Sequence, residues 1–316
     1  MPIIGSRGAA SASGFGQRQG AKDLIEATGG TIEDIGDFRV HTFLTSGNFV
    51  VDGISGSLPA PAKAVDYVVV GGGGGGGYGF GAGGGAGGFR ESHVEAISGP
   101  YTASPLASTT SIPISASPGT YPIVIGAGGG SLTPASGGDG QNGAASSFST
   151  ITASGGGHGG GNTQGSGNPG GSGGAGGNNG GGPAGSGNAG GYSPPEGNNG
   201  GAGSPQTGGG GGAGTAGTAS GPGGAGVGTE ISATAGVQGP SAPLRYFAGG
   251  GSPSQIATGG GGIGGGGGSP YNFTTPDYPG PTNKGQPGTG GGSRGDFYNN
   301  PQVGGPGVVI IRYKIK

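Results

Sequence analysis

The stretch 65-VDYVVVGGGGGGGYGFGAGGGAGGFRE-91 decides what kind of molecule this chain makes. An apolar strand, Val65–Val70, runs straight into glycine. Gly71, Gly73 and Gly76 fit G-x-G-x-x-G, and Glu91 stands about 20 positions on, the spacing of a dinucleotide-binding loop. Such a loop needs a helix behind it, because the helix N-terminus holds the pyrophosphate. Here Gly77 is followed by Tyr78, Gly79, Phe80 and more glycine to Gly88. Each interior glycine costs a helix roughly 1 kcal/mol relative to alanine, so no helix is expected and no cofactor is implied. In a chain with 96 glycines among 316 residues the motif matches almost anywhere. The glycines are building material.

Composition narrows the class further. With 25 prolines beside the 96 glycines, Gly plus Pro exceeds the roughly 25–30% that marks low-complexity sequence. Yet only 8% of residues are charged and the net charge is −2, so the chain lacks the high net charge that solvates disordered chains. It also lacks the basic excess of a nucleic-acid binder. There is no cysteine, hence no disulfide or thiolate metal site. No charged, apolar leader opens the sequence, and no 18-residue apolar run suggests membrane insertion.

Two kinds of sequence alternate along the chain. Ordinary β-sequence lies at both ends. Gly36–Gly53 reads as a hairpin turning at Ser46-Gly47, and Val65–Val70 as a strand buried on both faces. Ser111–Ser115 and Tyr121–Ile125 flank a Pro118-Gly119 turn, Ser147–Ala153 reads as one strand, and Val308–Ile315 as the last. Val308–Tyr313 is expected to pair with Val65–Val70, since neither has another apolar partner of equal burial. Gln19–Gly30 is the one stretch suited to a helix, of about two turns. The four parts expected are a segment 1–27, a strand-rich part 28–154, a glycine-rich body 155–307 and a closing strand 308–316.

Uninterrupted runs such as Gly71–Gly77 and Gly264–Gly268 exclude collagen, which needs glycine at every third position only. An extended threefold helix rising about 3.1 Å per residue makes no internal hydrogen bonds, so its N–H and C=O groups must bond to neighbours. Only glycine permits such close packing, and unpaired charge is excluded from the interior. Between Ser154 and Leu244 the charged residues are Glu196 and Glu230. The fold class expected is therefore irregular and β, with strands at both ends enclosing a bundle of polyglycine II helices and almost no α-helix.

The succession FRVHTFLTSGNFVV, VDYVVVGGGGGGG, YPIVIGAGGG, GAASSFSTITASGGG, GPGGAGV, YFAGGGS and GGPGVVIIRY resembles a Gly-rich domain of bacteriophage structural proteins, common in phages of marine bacteria and cyanobacteria. It is more distantly similar to the Gly-rich adhesins that tip the long tail fibres of T-even-type phages. The first resemblance covers residues 28–316; Met1–Ala27 departs from the T-even adhesins. In those adhesins polyglycine II helices stack in layers, and variable loops at one end contact the host. The resemblance implies a non-enzymatic virion protein of tail-fibre or adhesin type, assembled in the host cytoplasm and released by lysis. Its implied partners are other virion subunits, reached through residues 1–27, and a host-surface saccharide or outer-membrane protein; homo-oligomers are compatible with it. Two alternatives are an architectural capsid or neck appendage, and a cellular Gly-rich extracellular fibre or ice-binding protein. The latter lacks the regular Thr or Ala face expected of it.

Candidate contact residues lie in the inserts between glycine runs. Ser269–Gly288 carries Tyr271, Phe273 and Tyr278, and a second insert adds Tyr192. Tyrosine offers large contact area at low entropy cost. Tyr246 and Phe247 read instead as end caps of the bundle. His41, His93 and His158 are scattered, which gives no metal site. Arg294-Gly295-Asp296 is a cheap coincidence in so glycine-rich a chain, Asn272-Phe273-Thr274 is a weak glycosylation match, and no nucleophile–base–acid set is present.

Overall fold

The computed structural model describes residues 24–117, 119–130, 138–162, 165–178, 181–203, 206–254, 260–268, 283–296 and 302–316. Along the chain come β1 (Ile25–Thr28), β2 (Thr31–Ile35), β3 (Phe38–Phe43), β4 (Gly47–Ile54) and β5 (Ala64–Val70). Then follow β6 (Phe89–Ser92), α1 (Glu95–Ser98), β7 (Ala107–Ser108), β8 (Ile112–Pro113) and β9 (Thr120–Val124). The rest are β10 (Ser146–Phe148), β11 (Ile151–Ala153), β12 (Val227–Thr229), β13 (Val237–Gln238), β14 (Arg245–Phe247) and β15 (Val308–Lys314). Among the described residues helix is confined to α1 and one 3-10 turn, Ala60–Ala62. The protein is β and irregular.

Three sheets are stacked. A five-stranded sheet runs β1-β4-β9-β10-β11, a seven-stranded one β2-β3-β15-β5-β6-β7 with β8 also on β5, and a three-stranded one β12-β14-β13. The central strands explain their own composition. Val65, Tyr67 and Val69 of β5, with Val309, Ile311 and Tyr313 of β15, pack on Ile25, Phe49, Val51, Ile123 and Phe148 of the five-stranded sheet. Their alternate residues, Val68, Val70, Val308 and Ile310, with Phe89 of the neighbouring β6, pack on Val227, Ile231 and Phe247 on the other side. A sheet covered on both faces removes the apolar–polar alternation. The expected pairing of the last strand is present and antiparallel, from Val308↔Val70 to Arg312↔Asp66.

Other expectations need correcting. Gly36–Gly53 is not a hairpin: β3 lies between β2 and β15, and β4 crosses to the other sheet between β1 and β9. Both edges of β3 are occupied, and Phe49 and Val51 of β4 are needed in the sandwich core. The real hairpin is β2–β3, closed by Gly36-Asp37 with Ile35 opposite Phe38 and Gly36 at φ 62°, the conformation two-residue hairpin loops demand. Ile25–Thr28, expected within a helix, pairs with β4 and alternates buried with less buried residues. Tertiary pairing overrides a weak local preference there; the rest of that stretch, up to residue 23, lies outside the described residues. Ser147–Ala153 folds back on itself as β10 and β11.

The glycine runs continue the central layer. In the first run Gly71, Gly74 and Gly77 donate to Gly88, Gly85 and Ala82, while Gly72, Gly75 and Tyr78 donate to Ala144, Gln141 and Gly138. Gly73 donates to Gly305, and Gly76 to the Ser293 hydroxyl. In the next run Gly81, Gly84 and Gly87 donate to Asp296, Ser293 and Gly290; Ala82, Gly85 and Gly88 donate to Gly160, Gly157 and Ser154. Partners recur every third residue, the period of an extended threefold backbone; a strand would repeat every second. The first run is bonded on all sides, to segments around residues 81–88, 126–130, 138–144, 154–161, 290–296 and 304–307.

Such packing leaves no space for side chains. A Cβ on any of Gly71 to Gly77 would lie under 3.0 Å from a backbone carbonyl oxygen of a neighbouring run, a separation real Cβ atoms essentially never show. Alanine occurs only where a Cβ fits, as at the fully buried Ala82, Ala86 and Ala175. Gly74→Ala, aimed at Gly157, and Gly211→Ala, aimed at Asn198, should each destabilise the protein by at least about 2 kcal/mol. Gly56→Ala, with nothing within 4 Å, is the neutral control. Unchanged denaturation midpoints for the first two would contradict the packing. Deleting residues 308–316 would leave β3 and β5 with open central edges, and the truncated chain should be insoluble on expression.

Candidate functional site

The runs give the molecule two poles. At one, Tyr78 donates to Gly138 at 3.1 Å, Asn162 to Tyr78 at 3.2 Å, Asp296 to Gly77 at 2.8 Å and Ser254 to Gly81 at 3.1 Å. Gly177 and Gly203 donate to Gly165 and Gly182 at the same level. Gly138, Ser254, Asn283 and Asp296, each bordering a stretch outside the described residues, stand at this level, Asn283 accepting from Arg294. At the other pole stand the sheets, and at their far end the Leu24 N–H donates to the Ile315 carbonyl at 2.9 Å. The seven residues Gly71–Gly77 separate the first pole from the sheets.

This separates the candidate residues. Tyr271, Phe273 and Tyr278 lie outside the described residues, in the stretch between Gly268 and Asn283. Tyr192 belongs to the sheet pole. The Arg90 guanidinium of β6 stacks 3.8 Å from its ring centroid, and the ring rests so closely on Gly190 that a Cβ there would strike it. Asn188 braces the loop, its amide oxygen accepting the Tyr192 N–H at 3.0 Å and its amide donating to the Tyr192 carbonyl at 3.0 Å. Beneath it the fully buried Glu196 accepts the N–H of Ser154 at 2.9 Å and of Gly190 at 3.0 Å. One of the two charges in that long neutral stretch is thus a cap for backbone donors.

A second constellation escaped the sequence reading. On the face of the central sheet turned to β12, Asp66 accepts four hydrogen bonds: from the hydroxyls of Ser92 (2.7 Å), Ser98 (2.6 Å) and Ser111 (2.5 Å), and from the Val94 N–H (2.7 Å). Arg312, in register with Asp66 and only 4% exposed, donates to the carbonyls of Ser98, Glu230 and Ile231 at 2.9–3.3 Å. Its guanidinium also lies 4.8 Å from the Tyr101 ring centroid. Glu91 is 2% exposed; it accepts the Ser104 N–H at 2.9 Å and the Thr229 hydroxyl at 2.6 Å. Burial pushes its carboxyl up to about 7, against the pull of those two bonds. Burial first, then the Glu91 and Asp66 charges, raise the Tyr101 phenol, and burial lowers the Arg312 guanidinium. The signal was in the sequence: one acid inside VDYVVV and one base inside VVIIRY, which pairing brings side by side.

With this geometry in hand, the family profile described as a glycine-rich domain matches residues 45–314. The chain belongs to the glycine-rich domain family. A comparison with curated proteins finds no match.

Within this glycine-rich domain the remaining motifs have structural places. The N–H groups of Gly71, Gly73 and Gly76 are all engaged by protein partners, so the fingerprint glycines have no donor to offer a phosphate. Arg294 and Asp296 are 7% and 2% exposed, and the Arg294 guanidinium donates to the Ser254 carbonyl at 2.6 Å. The Arg294-Gly295-Asp296 tripeptide is buried in the body. His41 is sealed in the sandwich, with Nδ1 at 2.7 Å from the Gly29 carbonyl and Nε2 at 2.9 Å from the Tyr313 hydroxyl; burial pushes its imidazole down. No group of three or more His, Asp or Glu suited to a metal occurs among the described residues. Phe247 is fully buried in β14, 6.3 Å from the Phe89 ring, consistent with a cap over the end of the body.

Arg312 ties three elements through bonds that another residue cannot reproduce. Arg312→Met should cost about 3 kcal/mol, because the carbonyls of Ser98, Glu230 and Ile231 lose their donor. Arg312→Lys should restore less than half, since an ammonium cannot reach three carbonyls in a planar fork. Denaturant unfolding of both variants measures this.

Proposed function

We propose that this protein is a phage virion structural component of tail-fibre or adhesin type, held by its sheet pole and meeting the host surface with the opposite pole. The glycine-rich body, in this reading, is a bundle of polyglycine II helices serving as a rigid spacer. Two things support it: the resemblance of residues 28–316 to phage Gly-rich domains, and the three-residue recurrence of backbone partners.

The observation that carries the functional part is the segregation of the poles. Helices that bond to one another have no side chains with which to read a surface, so recognition falls to the inserts. The longest insert lies between Gly268 and Asn283, which themselves stand away from the sheets, and carries Tyr271, Phe273 and Tyr278. Leu24, where the segment 1–27 enters the fold, stands at the other end against Ile315. That segment suits attachment to another virion subunit. Tyr192, held by Arg90 on the sheet side, belongs with attachment or bracing, and host contact rests on the other three aromatics. A saccharide or an outer-membrane protein offers the surface such rings bind.

Changing Tyr271, Phe273 and Tyr278 together to Ser should leave folding intact and reduce adsorption of phage to host cells at least about tenfold, equivalent to 1.4 kcal/mol. Antibody labelling of whole virions should place the chain at a fibre tip. Folded mutant virions that adsorb normally, with label on capsid or neck, would favour the architectural alternative.

A further inference from the structure

We infer that Glu91 is a proton-operated latch between the central sheet and the layer carrying β12, closed when its carboxyl is neutral and loosened when it ionises. This goes beyond the virion reading and does not depend on it.

The geometry supplies the latch. Glu91 sits on β6, opposite Val68 of β5. One carboxyl oxygen meets Thr229 of β12 at 2.6 Å and the Tyr101 hydroxyl at 3.5 Å; the other meets the Ser104 N–H at 2.9 Å. Thr229 is fully buried and Ser104 nearly so, so one carboxyl ties two chain segments, 101–104 and β12, to β6 in a largely buried place. β12 continues from the glycine run ending at Gly226, whose N–H donates to Ile263. Movement at Thr229 is therefore coupled to the body.

The charge count supplies the switch. Asp66 and Arg312 are of opposite sign and share Ser98, whose hydroxyl donates to Asp66 and whose carbonyl accepts from Arg312. Ser98 joins the two, and the strand register sets them side by side. Glu91 is a second buried acid with no cation within ion-pair distance among the described residues. The other ionisable groups around it are committed. Glu230 is half-buried and accepts the Thr102 N–H at 3.0 Å. His93 bonds the Gly99 carbonyl and stacks on Tyr101 at 4.2 Å; its charge pulls the Glu91 carboxyl down, but less than the Ser104 and Thr229 hydrogen bonds do and against the dominant effect of burial. Arg245 of β14 is spent on the carbonyls of Thr234, Ala235 and Gly236. Arg90, next in sequence, lies over Tyr192. An ionised Glu91 would leave an uncompensated negative charge in a dry interior, a costly state relieved by admitting water.

The sign follows from linkage. A carboxyl whose folded-state proton affinity exceeds that of the open state stabilises the closed state fully below the open-state value of about 4.5, and this stabilisation is lost as pH rises through about 7. Hydrogen exchange on the isolated protein at pH 5.5 and 8.5, corrected for intrinsic exchange rates, tests this. Amides of 101–106 and 227–231 should open on the order of tenfold more often at the higher pH, while β1 and β4 stay unchanged. Glu91→Gln should abolish the difference and keep the protection seen at pH 5.5. In the wild type the 13C carboxyl resonance of Glu91 should titrate near neutrality. A flat wild-type exchange profile, a Glu91 resonance with an ordinary acidic midpoint, or a Gln variant retaining the pH dependence would each overturn the latch.

Discussion

Backbone hydrogen bonding between segments that lack side chains is the constraint on which everything else depends. An extended threefold backbone cannot bond to itself, so each buried N–H and C=O in the runs needs a neighbour at bonding distance. That distance is available only when no Cβ intervenes. At Gly73, for example, a Cβ would fall on the Gly291 carbonyl, while the Gly73 N–H itself bonds Gly305. Each glycine is thus constrained twice, by its own bonds and by the space its neighbours need. The side chains that do enter the body behave as substitutes for backbone groups. The Ser293 hydroxyl accepts from Gly76, and the Asn142 amide oxygen accepts from His158.

A body built this way has little apolar surface to drive its formation, and the ordering of glycine is entropically expensive. The sheets offset this. β5 and β15 pair with each other, bury both faces, and pass directly into Gly71 and out of Gly307. Their hydrophobic burial fixes the ends of the first and last glycine runs, and the remaining runs pack around Gly71–Gly77. The strand that completes the central sheet comes from the far end of the sequence, with Ile310 opposite Thr42 and Val68. Pairing over such separations carries a large loop-closure cost, so folding of this topology is expected to be slow.

The polar cluster has a related origin. Close to the body, the inner face of the central sheet is covered by Val227, Ile231 and Phe247. Further away the cover is made of α1 and irregular chain, whose carbonyls and N–H groups need partners. Asp66, Glu91 and Arg312 provide them. Buried charge here serves backbone groups outside regular structure, as Glu196 does at the sheet pole.

The sequence by itself determined the material: a run of glycine after Val65–Val70, without charge and without a following helix, can be satisfied only by neighbouring backbone. It also determined the pairing of the two apolar strands, because each is too uniformly apolar to face water. What it left open was decided by tertiary structure. Glycine runs carry no side-chain pattern, so their order, direction and neighbours are set by loop connections and by the sheets that anchor them. The same holds for β3 and β4, whose local sequence allows a hairpin until β15 occupies the edge between them. The opposite poles occupied by Tyr192 and by Gly268 and Asn283, and the register that sets Asp66 beside Arg312, are products of that assembly. A residue's type fixes the bonds it needs; only the folded chain fixes which partner stands within reach.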